Sequence, residues 1–245
     1  SGGAIYAVSP ELESRNSVHK QIGTAYRVEN TGGSKFSLNA SFSQIALKVD
    51  TPAVLPGLRD PFGLPAIQAD SSYEESNISI TWLSRQYSDV RVLGGLNYHR
   101  SSGKSDGVID VGFDLPSSFA LRRDQWSAFA EMVWRPLEQL SVSGGGRYEW
   151  FPNGEVFVPQ LNVEYTSQND RHTLMLNWGE GFKLPSFYAL GNPLVGNPAL
   201  ENETSNSFEI KYSFESMNWA LSVSVFRNQF RNLVDFEPGP PPSLV

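Results

Sequence analysis

Cysteine is absent from all 245 residues, which excludes disulfide staples and argues against thiolate metal sites or thiol catalysis. No apolar run approaches the roughly 20 residues that a membrane-spanning helix needs. No basic cluster is present either. The 19 Lys and Arg are outnumbered by 26 Asp and Glu, for a formal charge of −7, and this balance disfavours a nucleic-acid partner. The opening Ser1-Gly2-Gly3-Ala4 has neither a basic start nor an apolar signal region, so any export signal is expected to have been cleaved or left out. Imidazoles are scarce: His19, His99 and His172 are the whole supply. A mean hydropathy of −0.30 would ordinarily point to a soluble protein. Strands that alternate apolar and polar residues hide their hydrophobicity from such an average, so a membrane barrel stays open.

What is present is alternation. In Leu140 to Trp150 one face reads Leu140, Val142, Gly144, Gly146, Tyr148, Trp150 and the other Ser141, Ser143, Gly145, Arg147, Glu149, the period of a strand between two environments. Trp126, Ala128, Ala130, Met132 and Trp134 share a face with a tryptophan at each end. Eight residues at about 3.3 Å, tilted by about 40°, put those rings ~20 Å apart along a barrel axis, near the ~25 Å between the aromatic girdles of a transmembrane barrel. Taken in order, a short strand is expected over Ile5 to Ser9, a polar loop over Glu11 to Lys20, and a hairpin over 21–50 turning at Asn30-Thr31-Gly32-Gly33. Further strands are expected at 74–85, 90–100, 126–134, 140–150, 157–165, 174–178, 207–215 and from Leu221 to Phe236, with Pro159 implying a bulge or an unpaired position. Residues 51–72, 101–121 and 183–203 read as long loops, and short turns fall at 136–138, 168–170 and 217–218. Pro152-Asn153-Gly154 is short where a long loop is due. Tight turns at one end and large loops at the other favour a membrane meander over a soluble sandwich. The predicted fold class is all-β: an antiparallel up-and-down transmembrane barrel portion of about eleven strands, spanning residues 1–245 as one domain.

Gly179-Glu-Gly-Phe-Lys-Leu-Pro-Ser186, followed by Asn197-Pro198 and Leu200, resembles a signature of the TonB-dependent outer-membrane receptors. In that family a G-x-G-F-[KR]-x-P-S strand end precedes a loop carrying N-P-x-L and a Glu-x-Ser. Asn202 departs from the proline usual before that glutamate. Phe226 to Asp235 resembles the strand that follows in these receptors, and Leu140 to Trp150 their glycine-rich G-x-R-Y strand. The resemblance covers about residues 124–236. It implies about half of a 22-stranded barrel in the outer membrane, with the plug domain and the aromatic-terminated last strand missing from this chain. It also implies a receptor that captures a small molecule such as a metal chelate, corrinoid or sugar, with energy from the TonB complex reaching it through a plug. A passive porin-like channel is the alternative. The orientation it implies puts the three short turns in the periplasm and the long loops outside, and eleven strands are not expected to close a barrel alone.

Phe119, Phe187 and Tyr188, in or beside the long loops, are candidate stacking surfaces for that ligand, with packing of the loops themselves the equal alternative. Arg91, Arg147 and Lys211 are candidate contacts from the inner face, where Glu149, Glu164 and Glu209 also point. Solvating a lumen or pairing with a plug is the plainer role for all six. Asp106, Asp110 and Asp114 have oxygen donors suited to calcium, but at a spacing unlike a calcium loop, so a solvated acidic loop is expected and no metal or cofactor is assigned. His99 and His172 fall at opposite ends of the meander with no third orienting group, so no enzyme is expected.

Overall fold

A computed structural model describes residues 12–58, 63–110 and 112–235. Among the described residues eleven strands follow one another: β1 (Ser14–Glu29), β2 (Lys35–Thr51), β3 (Ala66–Leu83), β4 (Val90–Asp110), β5 (Asp114–Pro116), β6 (Phe119–Leu137), β7 (Leu140–Phe151), β8 (Gly154–Thr166), β9 (His172–Lys183), β10 (Glu203–Glu215) and β11 (Ala220–Arg231). A one-turn helix, α1 (Phe187–Gly191), lies between β9 and β10. All strands join one antiparallel sheet in chain order, except that the three-residue β5 pairs only with the end of β4. Among the described residues β1 pairs only with β2 and β11 only with β10, so both edges of the sheet lie open.

The register carries the alternation of one strand directly onto the next. Phe36 faces Trp82, Leu38 faces Ile80, and Ile80 faces Leu96. Trp126 stands opposite both Tyr98 and Trp150, and Trp134 opposite Val90 and Val142. Tyr165 faces Leu174, which faces Tyr212. A one-residue slip anywhere would move a whole set of apolar side chains to the opposite face, so the pattern itself holds the register. Rings mark both ends of this band: Tyr98 with Trp126 and Tyr148 with Trp150 at one, Trp82, Trp134, and Phe214 with Trp219 at the other.

This face is not a core. Ala189 is the one buried apolar residue among those described, whereas Trp126 is 58% and Leu96 57% exposed. An apolar face of this extent on a soluble protein would aggregate; bounded by aromatic rows, it is the surface of a barrel turned toward hydrocarbon. The inner face is polar at the same level. Asn39 donates to Ser79 Oγ, Arg147 binds both Ser127 Oγ and the Glu149 carboxylate, and Asn177 donates to Glu209.

Several expectations are corrected. Residues 101–110 are not a loop but the continuation of β4, paired with 66–75 of β3 on one side, and its first half with β6 on the other. Only 52–65 separates β2 from β3, and Ser14–Lys20 is strand rather than loop. Each stretch was polar on the outer face, and polarity without an apolar period reads as loop. Here it marks strand that has left the lipid. From Tyr98 to Asp110, β4 runs on for twelve residues, roughly 30 Å along the axis at the usual rise and tilt. The last strand ends at Arg231 rather than Phe236, which itself lies outside the described residues, as do Ile5 to Ser9. The 152–153 turn is short as expected, and the other short turns share the opposite end of the sheet.

Leu176→Arg in the complete protein is expected to destabilise it by roughly 2–4 kcal/mol, because the charge would enter hydrocarbon. Asn177→Arg points inward beside Glu209 and should cost little. Folding yields into lipid vesicles, compared across urea concentrations, measure both; equal losses would refute the assignment of faces.

Candidate ligand site

Beyond the Tyr98–Trp126 row the two faces exchange character. The outer face becomes polar and charged, with Gln44 bonded to Glu74 at 2.9 Å, Lys48 paired to Asp70 at 3.7 Å, and Arg100 and Arg122 both on Asp124. The inner face becomes apolar, through Ile45, Leu47, Ile67, Ala69, Ile109 and Phe119. In β2 the switch is visible as a slip of phase: Phe36, Leu38, Ala40 and Phe42 are even-numbered, Ile45, Leu47 and Val49 odd. Strand walls that project into water must be wet outside, so the apolar residues turn inward and there gather something to bury.

What they bury is the loop after β9. The β8–β9 ladder stops at Gln160–Gly179, next to Pro159, which has no N–H to offer, while β8 stays in unbroken register with β7. Pro159 therefore makes an unpaired position, not a bulge. Freed from β8, the end of β9 carries residues 184–202 across the inner face as far as β4 and β3. Arg123 anchors the loop by donating from Nη2 to the Pro185 carbonyl at 2.8 Å, and its guanidinium lies 5.0 Å over the Phe187 ring. Phe187 also stands 6.2 Å from Tyr73, and Tyr188 meets Phe119 edge-on at 6.2 Å.

The loop's own sequence holds its shape. Ser186 caps α1 by accepting from the Ala189 N–H, buried Asn192 accepts from the N–H groups of Leu194 and Val195, and Asn197 accepts from Ala199. At its base Lys183 pairs with Glu203 at 3.2 Å, and Glu203 also accepts from the Val234 N–H. Two glycines allow the close seating. A Cβ at Gly103 would come within 2.5 Å of the Phe187 ring, and one at Gly191 within 2.7 Å of Leu121.

Between loop and wall lies a cavity of about 720 Å³, lined by Tyr73, His99, Phe119, Arg123, Phe187 and Tyr188 together with the apolar wall residues and several serines. This is the size and lining of a small-molecule site. Burial and the Glu75 carboxylate raise the pKa of the Tyr73 phenol, which stays a neutral hydrogen-bonding group, and burial lowers that of Arg123.

Of the residues singled out from sequence, Phe119, Phe187 and Tyr188 come together here. Arg91 lies near the short-turn end, donating to the Ser84 carbonyl; Arg147 sits mid-wall in its pair with Glu149; Lys211 is on β10 opposite Met175. None of these three lines the cavity. Asp106 and Asp110 are engaged separately, by Ser118 and by the Gly112 N–H, and no cluster of three metal-ligating side chains occurs among the described residues. His172 bonds to Tyr212 at the short-turn end, far along the sheet from His99. Tyr73 and Arg123 were not singled out from sequence, and His99 was weighed only as a catalytic group, because they stood beside stretches taken for loop or at a strand rim; the phase slip in β2 was the signal that would have placed them in the cavity wall.

The family model described as TonB dependent receptor-like, beta-barrel, matches residues 7–245. This chain belongs to the TonB-dependent receptors. It is 36% identical over 178 residues, 71% of its length, to the vitamin B12 transporter BtuB of Vibrio vulnificus, and 28% identical over 167 residues, 60% of its length, to the ferrienterobactin receptor of Escherichia coli. It spans only 28% and 21% of those two proteins. In fold it matches the ferric yersiniabactin uptake receptor FyuA of Yersinia pestis, with a TM-score of 0.68 at 14% identity, covering 90% of this chain and 37% of that one. The receptor segment is thus an outer-membrane barrel segment, and the relatives named are transporters and receptors, not enzymes.

Gly103→Val should unseat Phe187 and speed chymotryptic cleavage at Phe187 and Tyr188 several-fold in the folded receptor. Ser102→Val, on the opposite face, should leave the cleavage rate unchanged. Equal protection in both variants would show that the loop is not held by this contact.

Proposed function

We propose that this chain forms part of the barrel of an active-transport receptor that captures a scarce nutrient from outside the cell. Its long-loop end faces the exterior and its short-turn end the periplasm. The ligand, drawn from the corrinoids, ferric siderophores or carbohydrates, docks in the cavity beneath residues 184–202. Import follows from rearrangement of a plug powered by the TonB complex. The two open edges are closed by further strands of the same receptor, since each unpaired backbone group in hydrocarbon costs several kcal/mol.

The observation that carries this reading is the folded-back loop. A passive channel needs a wet inner face along its full height, and here the inner wall turns apolar at the long-loop end and is covered by 184–202. That arrangement supports binding over free conduction. Family membership favours the receptor over the channel as well.

Two measurements test it. On intact cells, cysteines at Asn153 and Ala199 in the full-length receptor should react with an impermeant thiol reagent and one at Met217 should not; the reverse pattern would invert the orientation. Purified full-length receptor should be retained by immobilised TonB periplasmic domain, and uptake through it should vanish in cells lacking TonB. Uptake that persists undiminished without TonB would establish a passive channel instead.

A further inference from the structure

Arg123 stands in the cavity wall without a counter-charge. It faces inward from β6 opposite Ser101 of β4, half-buried above the lipid band. Its two partners are neutral: the Pro185 carbonyl, which accepts from Nη2 at 2.8 Å, and the Phe187 ring, which covers the guanidinium at 5.0 Å. Among the described residues it has no ion pair, whereas Arg100 and Arg122 share Asp124 and Arg147 holds Glu149. No carboxylate lines the cavity. Glu75 lies in the same cross-strand row, but two strands away, ~10 Å at the backbone, and is turned to His99 at 3.6 Å. Glu201, in the loop, accepts from Asn232 at 2.9 Å.

A guanidinium carries five N–H donors, and the Pro185 carbonyl takes one of them. Phe187 occupies a face of the group and leaves its edge open, so the fork can receive a planar anion while it still anchors the loop. A cation partly withdrawn from water gains more from an anionic oxygen than from any neutral acceptor, because charge-assisted hydrogen bonds are roughly twice as strong and the local dielectric is low. The rest of the wall offers apolar side chains and the rings of Tyr73, Phe119 and Phe187. Lys104 also borders the cavity, but its ammonium lies 3.9 Å from Asp106 on the outer face. The surface on offer is therefore one available cation set in an apolar, ring-lined wall.

We propose that the cavity binds a ligand with an apolar or aromatic body and an anionic oxygen group, and that Arg123 is the residue that selects for the anion. The body lies against the rings, and the carboxylate, phenolate or phosphodiester oxygen takes the open edge of the guanidinium. The assignment rests on the receptor reading above. It narrows the ligand to molecules that carry such an oxygen, which excludes an uncharged carbohydrate.

Naphthoate and naphthamide share one flat apolar body and differ in charge. Their binding to the purified full-length receptor is measured by equilibrium dialysis at neutral pH, with detergent alone as the blank. Naphthoate is expected to bind at least about tenfold more tightly. Arg123→Gln, whose amide can still donate to the Pro185 carbonyl, should bring the two probes within about twofold of each other, whereas Arg123→Lys should keep most of the preference. Arg122→Gln removes the same charge on the outer face and should leave the preference unchanged. A loop merely loosened by substitution would weaken both probes together and leave their ratio as it was. Equal binding of the two probes by the unaltered receptor, binding of neither, or a preference that survives Arg123→Gln would each overturn the assignment, and the first two need no variant to fold. Retention by TonB, measured separately, would still stand in those cases; its loss would sink the receptor reading itself.

Discussion

Every backbone N–H and C=O that faces hydrocarbon must find a partner within the protein, and the sheet is arranged around that requirement. In lipid the ladder is the only available source of hydrogen bonds, so each strand is paired to its sequence neighbour across the full apolar band. Pairing in chain order needs only tight turns at one end, and the alternation of side chains then sets the register. No apolar interior is needed for this, and the described residues contain almost none: Ala189 alone is buried and apolar.

Where the strands rise beyond the band the requirement relaxes, and departures from regular pairing begin there. Pro159 can sit in β8 because the ladder to β9 is dispensable at that height. Its missing donor releases the end of β9, and the released end delivers a loop to the inside of the wall. The exchange of polar and apolar faces at the same level gives that loop an apolar bed. The site thus follows from the end of the membrane: the same chain, read two residues at a time, faces lipid below and buries a loop above.

The charges inside are kept local. Arg147 is matched by Glu149 and Lys183 by Glu203 at the base of the loop, while Arg123 holds a carbonyl and a ring and keeps its charge. Such pairs hold geometry in a partly dry environment.

The all-β class, the lipid-facing rows and the tight turns were legible in the sequence, because a period of two with tryptophans at each end reports directly on a two-sided strand. Family membership was legible in Gly179–Ser186 and Asn197–Leu200, residues whose caps and turns shape the loop locally. Long-loop boundaries were not: above the lipid the outer face of β3 and β4 is polar, and a polar strand differs from a loop only in its hydrogen bonds, which sequence does not display. Nor did sequence separate Phe119, Phe187 and Tyr188, which meet in the cavity, from Arg91, Arg147 and Lys211, which do not. Alternation tells which face a residue takes, but its height along the axis, and the place where a distant loop returns, depend on register across strands far apart in the chain. Only the paired sheet, with Pro159 ending one ladder, brings residue 187 over residue 103.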